Sequence, residues 1–243
     1  MSALFEELDY QVTALGVLML RRRKDLATGE DIFEIKLNDD FLMSSKFTVS
    51  EEALAQLGLA DLSDDGLSVV VGGLGLGYTA AAVLKHPNVR SMIVVDALKP
   101  VIEWHERGLL PIGAALAHDN RCRFVHGDFF EMAGSPESGF DPLHPGSRFD
   151  AILLDIDHSP RQFLHPSNAA LYTLQGLKKA AAHLRPRGVF ALWSNDPEDA
   201  EFTAVLRAAF GAARAEPVVF HNPLQDRDTI QCVYVARKIA EMA

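Results

Sequence analysis

Cysteine is scarce in this 243-residue sequence: Cys122 and Cys232 stand far apart, each in an apolar, strand-like stretch. That scarcity excludes a disulfide framework and argues against a zinc site, leaving reduced core thiols. Long apolar runs are missing too, and none approaches the roughly 18 residues of a membrane span. The opening MSALFEELDY has neither the basic start nor the apolar core of a secretory signal, so the expected location is cytoplasmic. Basic charge is in deficit. With 23 Lys and Arg against 33 Asp and Glu the formal net charge is −10, which repels phosphate backbones and disfavours nucleic acid as a partner. The one basic run, Arg21-Arg22-Arg23-Lys24, precedes Ala27-Thr28-Gly29 and the acids Glu30 and Asp31, as the solvated end of a hairpin would.

What is present is an ordinary soluble composition, 48% hydrophobic and 23% charged, at a length that can bury one substantial core. The stretch SVVVGGLGLGY, Ser68 to Tyr78, organises the rest: three β-branched residues run into Gly73, Gly75 and Gly77, and an alanine-rich helical pattern follows. Strand, glycine turn and helix in that order let backbone N–H groups approach a polar nucleotide group, because glycine tolerates positive φ and carries no side chain. A dinucleotide fingerprint, G-x-G-x-x-G, would need glycine at Tyr78. The spacing here is G-x-G-x-G, that of the S-adenosylmethionine (AdoMet) loop of class I methyltransferase-like folds.

Before this stretch, Gln11 to Leu20 and Asp31 to Leu37 are β-leaning runs that predict a small hairpin unit. Thr48 and Glu51 have capping-box spacing ahead of a short helix closed by Gly58. After it, Met92 to Asp96, Arg123 to His126, Phe149 to Asp155 and Gly188 to Ser194 are short apolar runs without alternation, as expected of strands covered on both faces. Helices are predicted over Thr79 to Lys85, Val101 to Leu110, Asn168 to Leu184 and Glu198 to Phe210, the last capped by Asp196 with Pro197 in its first turn. Val218 to Phe220 and Thr229 to Ala236 close the sheet as an antiparallel pair. The pattern specifies an α/β fold: a three-layer, doubly wound, mostly parallel Rossmann-like sheet over residues 61–243, with a β-rich unit over residues 1–60.

Asp96, Asp128 and Asp155 each fall at or just beyond a predicted strand end, on the edge that carries the glycine turn. Asp96 follows Gly77 at close to the roughly 20-residue offset at which an acid meets ribose hydroxyls. Asp128 is placed to accept from an adenine amino group, and Asp155 to face the reactive end of the ligand. Taken singly, each acid reads more readily as a helix N-cap or a solvated loop residue; their recurrence on successive strands beside the glycine turn points to a nucleotide crevice. Ile156 to Ser167 has no period and two prolines, and is the candidate active-site loop. Within it Asp157 and His158 are expected to line the substrate pocket. Asp155, Asp157 and His158 could also ligate a divalent ion, but their spacing matches no metal signature and no metal is expected.

From Gly73 onward the chain resembles the spermidine synthase (polyamine aminopropyltransferase) branch of the class I AdoMet methyltransferase fold. The resemblance rests on Gly73 to Thr79 with Val83-Leu84-Lys85-His86 behind it, on Asp96 with Val101-Ile102-Glu103, on Gly127-Asp128, and on FDAILLD ending at Asp155. It implies that Asp96 binds ribose, that Asp128 contacts adenine, that Asp155 is catalytic, and that two copies pair as a dimer. The chain departs from the family in two places. Leu76 stands where the family loop carries an aspartate for the cofactor's amino group, and LNDDFLMSSKFTVSEEAL, Leu37 to Leu54, lacks the family's N-terminal signatures. Cationic polyamines need carboxylates for recognition, so the expected activity is AdoMet-dependent methyl transfer to a small-molecule acceptor. The alternatives are aminopropyl transfer from decarboxylated AdoMet to an amine, or an inactive nucleotide-binding protein.

Overall fold

The structure is a computed structural model that describes residues 4–222 and 226–239. An antiparallel meander opens it: β1 (Phe5–Thr13), β2 (Gly16–Lys24), β3 (Asp31–Leu37) and β4 (Asp40–Ser44), paired in that order. The run Gln11 to Leu20, taken from sequence as one strand, is broken by a tight turn at Ala14-Leu15. There Gly16 holds φ +128, and the Val17 N–H donates to the Asn38 side chain. Nor is the basic run a free hairpin end. It forms the last part of β2, where Arg21 and Arg23 both pair with the buried Glu34 of β3, at 2.6 and 2.7 Å.

Next comes α1 (Val49–Leu59), whose buried face holds Glu51, Leu54, Ala55, Gly58 and Leu59. The expected capping box does not form: Thr48 makes no side-chain cap, and Glu51 turns inward. Gly58 does not end the helix but lies within it, where a Cβ would come within 2.5 Å of a Leu153 methyl. The missing side chain lets α1 press closely on the larger sheet, rather than on the meander that precedes it.

That sheet has seven strands. Its parallel part is built from β5 (Leu67–Gly72), β6 (Val89–Asp96), β7 (Cys122–His126), β8 (Phe149–Leu154) and β9 (Leu184–Ser194). β10 (Gly211–Asn222) and β11 (Arg227–Lys238) add an antiparallel hairpin, giving the spatial order β10-β11-β9-β8-β5-β6-β7. Burial on both faces explains the unalternating apolar runs. Val69, Val71, Met92, Val94, Ala151 and Leu153 pack on the α1 side, while Val70, Ile93, Val95, Ile152 and Leu154 pack on the other.

The helices α2 (Tyr78–Lys85), α3 (Lys99–Glu106), α4 (Gly113–His118), α5 (Phe129–Ala133), α6 (Leu174–Ala182) and α7 (Ala200–Phe210) complete the layers. α7 is capped by Asp199, which accepts from the Phe202 N–H, and not by Asp196 as expected from sequence. The helix expected from Asn168 begins instead as a 3₁₀ turn over Pro166–Ala170, after which α6 starts at a Thr173 cap. Trp104 is fully buried and its indole N–H donates to Asp9 at 2.6 Å, bolting the meander to α3. Among the described residues, no helix is long and apolar enough to cross a membrane.

Candidate active site

Parallel strands deliver their C-terminal ends to one edge. The strand order therefore sets Asp128 after β7, Asp96 at the end of β6, the glycine turn after β5, Asp155 after β8 and Trp193 near the end of β9, in a row. These residues line one cavity of about 540 Å³. Its roof comes from the N-terminal meander, through Leu15, Leu37, Leu42 and Met43, and from α1 through Glu51.

Gly73, Gly75 and Gly77 hold φ of +92, +47 and +92, which L side chains rarely adopt. Leu74 and Leu76 between them are buried pegs. The Leu74 N–H donates to Asp96 at 2.9 Å, and the Leu76 N–H to the Met43 sulfur at 3.1 Å. Behind the turn, the buried His105 meets the Gly75 carbonyl through Nε2 at 2.9 Å. Burial pulls the His105 imidazole down to about 4, so it is neutral at pH 7. A carbonyl only accepts, so the proton sits on Nε2.

Asp96 is buried and accepts from the N–H groups of Leu74 and Leu98. Burial raises its carboxyl, and those N–H groups partly offset the rise. Asp128 caps α5, accepting from Phe130 and Glu131 through one oxygen, and also lines the cavity. Its capping role and its place on the cavity wall are thus compatible. Asp155 is half-buried. Its N–H bonds to the Gly72 carbonyl at 2.8 Å and its side chain accepts from the Thr79 hydroxyl at 2.6 Å. Burial pushes its carboxyl up to about 6, against the opposing effect of that hydroxyl.

The loop after β8 separates the two residues expected to line the substrate pocket. His158 does line the cavity, together with His165. Asp157 does not: its carboxylate turns into the loop and accepts from the Leu164 N–H, the Asn168 amide and the Tyr172 hydroxyl at 2.7, 2.9 and 2.8 Å. It holds the loop's shape. We expect Asp157→Ala to remove three partners at once and to destabilise the protein by about 2–3 kcal/mol. Backbone amides of residues 157–168 should exchange faster, while a ligand at the glycine turn binds as before. Unchanged exchange in that segment would show that the loop is held by other means.

Glu51 is the residue that sequence reasoning missed. It lies on the buried face of α1, lines the cavity and accepts from Ser50 at 2.7 Å. Burial, and then the charge of Asp155, push its carboxyl up to about 7. A signal was available: Glu51, Leu54, Ala55 and Gly58 follow the i, i+3, i+4, i+7 spacing of one helix face.

The residues fit an adenosyl ligand that is cationic. Acids stand along the edge to accept from hydroxyl, amino and ammonium groups, and the glycine turn brings backbone close to them. Comparison with known proteins agrees with this shape. The profile of the family described as the spermine/spermidine synthase domain matches residues 48–222. A spermidine synthase in complex with the transition-state analogue AdoDATO superposes with TM-score 0.72 at 20% identity, over 97% of this chain and 74% of that one. Spermidine synthase from Thermotoga maritima gives 0.70 at 20% identity, with the same coverage. A probable spermidine synthase from Corynebacterium glutamicum ATCC 13032 gives 0.62 at 16% identity, over 96% and 79%.

Proposed function

This chain belongs to the spermine/spermidine synthase family of transferases, and from that premise we propose that it moves an aminopropyl group from decarboxylated AdoMet to a small amine. The observation that carries the reading is the charge of the cavity. Glu51, Asp96, Asp128 and Asp155 line it with His158 and His165, and no Lys or Arg does so among the described residues. The carboxylate of AdoMet would enter this space without a counter-charge, whereas a donor lacking that group presents only cations. Methyl transfer, favoured from sequence because the family's acids for amine recognition are missing from the glycine loop and the N-terminal stretch, loses that support: the family is one of aminopropyl transfer, and the cavity carries its acids elsewhere.

In this reading Asp96 accepts from the ribose hydroxyls and Asp128 from the adenine amino group. The bound donor supplies a carbon activated by the neighbouring sulfonium. An amine that arrives protonated must lose a proton before it can attack, and the Asp155 oxygen not engaged by Thr79 receives it. With its carboxyl near 6, Asp155 is ionised at pH 7–8 and able to accept. The neutral His105 holds the Gly75 carbonyl and with it the turn. The apolar roof sheds water from the reacting pair.

The test is a transfer assay with decarboxylated AdoMet and AdoMet in parallel, each with a series of diamines. Methylthioadenosine should form from the decarboxylated donor. Formation of S-adenosylhomocysteine from AdoMet instead would overturn the reading in favour of methyl transfer.

A further inference from the structure

Two carboxylates line the same cavity, near enough that the charge of Asp155 bears on Glu51, and they come from opposite ends of the architecture. Asp155 follows a central strand of the sheet, and Glu51 is carried on the buried face of α1. Each has one neutral hydroxyl partner, Thr79 for Asp155 and Ser50 for Glu51. Among the described residues neither forms an ion pair, although Glu51 is only 9% exposed. The glycine turn offers no acid of its own there, since Leu74 and Leu76 are apolar and point inward.

We propose that Glu51 is the specificity-determining residue of this cavity: together with Asp155 it seats the terminal ammonium of the aminopropyl chain, and it turns away donors that carry a carboxylate at that place. The inference rests on the aminopropyl-transfer reading and deepens it. Like charges on two carboxylates facing one poorly hydrated cavity are costly to keep together, so the free protein holds a proton on one of them. A cation entering the seat replaces that proton. Binding of the ammonium therefore releases a proton near pH 6.5, and binding of a ligand without one does not.

The groups facing Glu51 are Glu52 on its own helix, Tyr78 on α2 and Asp155 after β8, with His158 and His165 across the cavity. Glu52 adds to the upward push, and the phenol of Tyr78 is itself raised, first by burial and then by the acids. The comparison with Glu51→Gln isolates the contribution of the pair.

The experiment is isothermal titration of the whole protein at pH 6.5 in two buffers of different ionisation enthalpy, using decarboxylated AdoMet, AdoMet and methylthioadenosine. For the wild type, decarboxylated AdoMet should bind most tightly and release about one proton, and methylthioadenosine should release none. In Glu51→Gln, affinity for decarboxylated AdoMet should fall about ten- to a hundred-fold, its proton release should disappear, and methylthioadenosine should bind as before. Equal losses for decarboxylated AdoMet and methylthioadenosine, or no loss, would overturn the role of Glu51 and leave aminopropyl transfer standing. Failure of the wild type to bind any of the three would overturn both. If Glu51→Gln does not fold, the wild-type titration still decides, because buffer-independent heats for decarboxylated AdoMet refute the displaced proton.

Discussion

Asp155→Asn should lower turnover by about a thousand-fold while leaving methylthioadenosine affinity within a factor of about two, the magnitude expected when a positioned proton acceptor is lost. Asparagine keeps the size and still accepts from the Thr79 hydroxyl, so the fold and the adenosine end of the cavity are undisturbed. What goes is the negative charge, and with it the ability to take up a proton and the Asp155 share of the ammonium seat. The wild-type rate should also decline as pH falls through about 6, where Asp155 becomes protonated, and the variant's residual rate should lack that limb. A rate near the wild type's would remove Asp155 from the chemistry.

The same substitution should stabilise the protein. A carboxyl whose folded-state value is raised from 3.8 to about 6 contributes most below the lower value and loses that contribution as pH rises through the upper one. Asp155 is therefore a burden on the fold at pH 8 and none at pH 3. Glu51, raised from 4.5 to about 7 by burial and by Asp155, behaves in the same sense over a window slightly higher. Thermal unfolding of Asp155→Asn should then exceed the wild type by about 2–5 °C at pH 8, with the gap closing toward pH 4.

Gly73→Ala is the second large effect expected. The residue holds φ +92, and a Cβ there would lie 2.1 Å from the Asp155 carbonyl oxygen and 3.0 Å from Ile156. The obstacle is backbone at the end of β8, which can yield only by moving Asp155 itself. Strain and displacement together should cost about 3 kcal/mol or more, and donor affinity should fall by at least about a hundred-fold. Gly29→Ala is the matched control: φ is +75, but nothing lies within 4 Å of the added carbon. It should cost about 1 kcal/mol and leave binding alone. Denaturant titration and calorimetry on the two variants check both statements, and near-equal losses would show that conformation, not the contact with Asp155, dominates.

The glycine turn and the acids at the strand ends were legible because both are local. A β-branched run, a turn that demands positive φ and an acid at the end of an apolar run leave their marks in consecutive residues. Glu51 was hidden because its spacing from Thr48 satisfies a capping pattern, while the inward turn is imposed by the close fit of Gly58 on Leu153. Asp157 sits two residues after Asp155, and its direction is set by Asn168 and Tyr172, which no local pattern connects to it. The break between β1 and β2 falls at Ala14-Leu15, an apolar pair whose turning depends on Gly16 and on Asn38 from another hairpin. Arg21 and Arg23 looked solvated because their partner Glu34 lies on the next strand.

The strand order also bears on how the chain acquires its chemistry during synthesis. β5 cannot be completed by its sequential neighbour alone, since its other side pairs with β8, with Val69 opposite Ala151. Asp96 and Asp128 can be in place once β5, β6 and β7 have emerged and associated. Asp155 cannot, because the Thr79–Asp155 bond spans 76 positions. A nascent chain passes through a stage in which the cavity wall is half built, and Asp155 joins it only when the last parallel strands slot in beside the first.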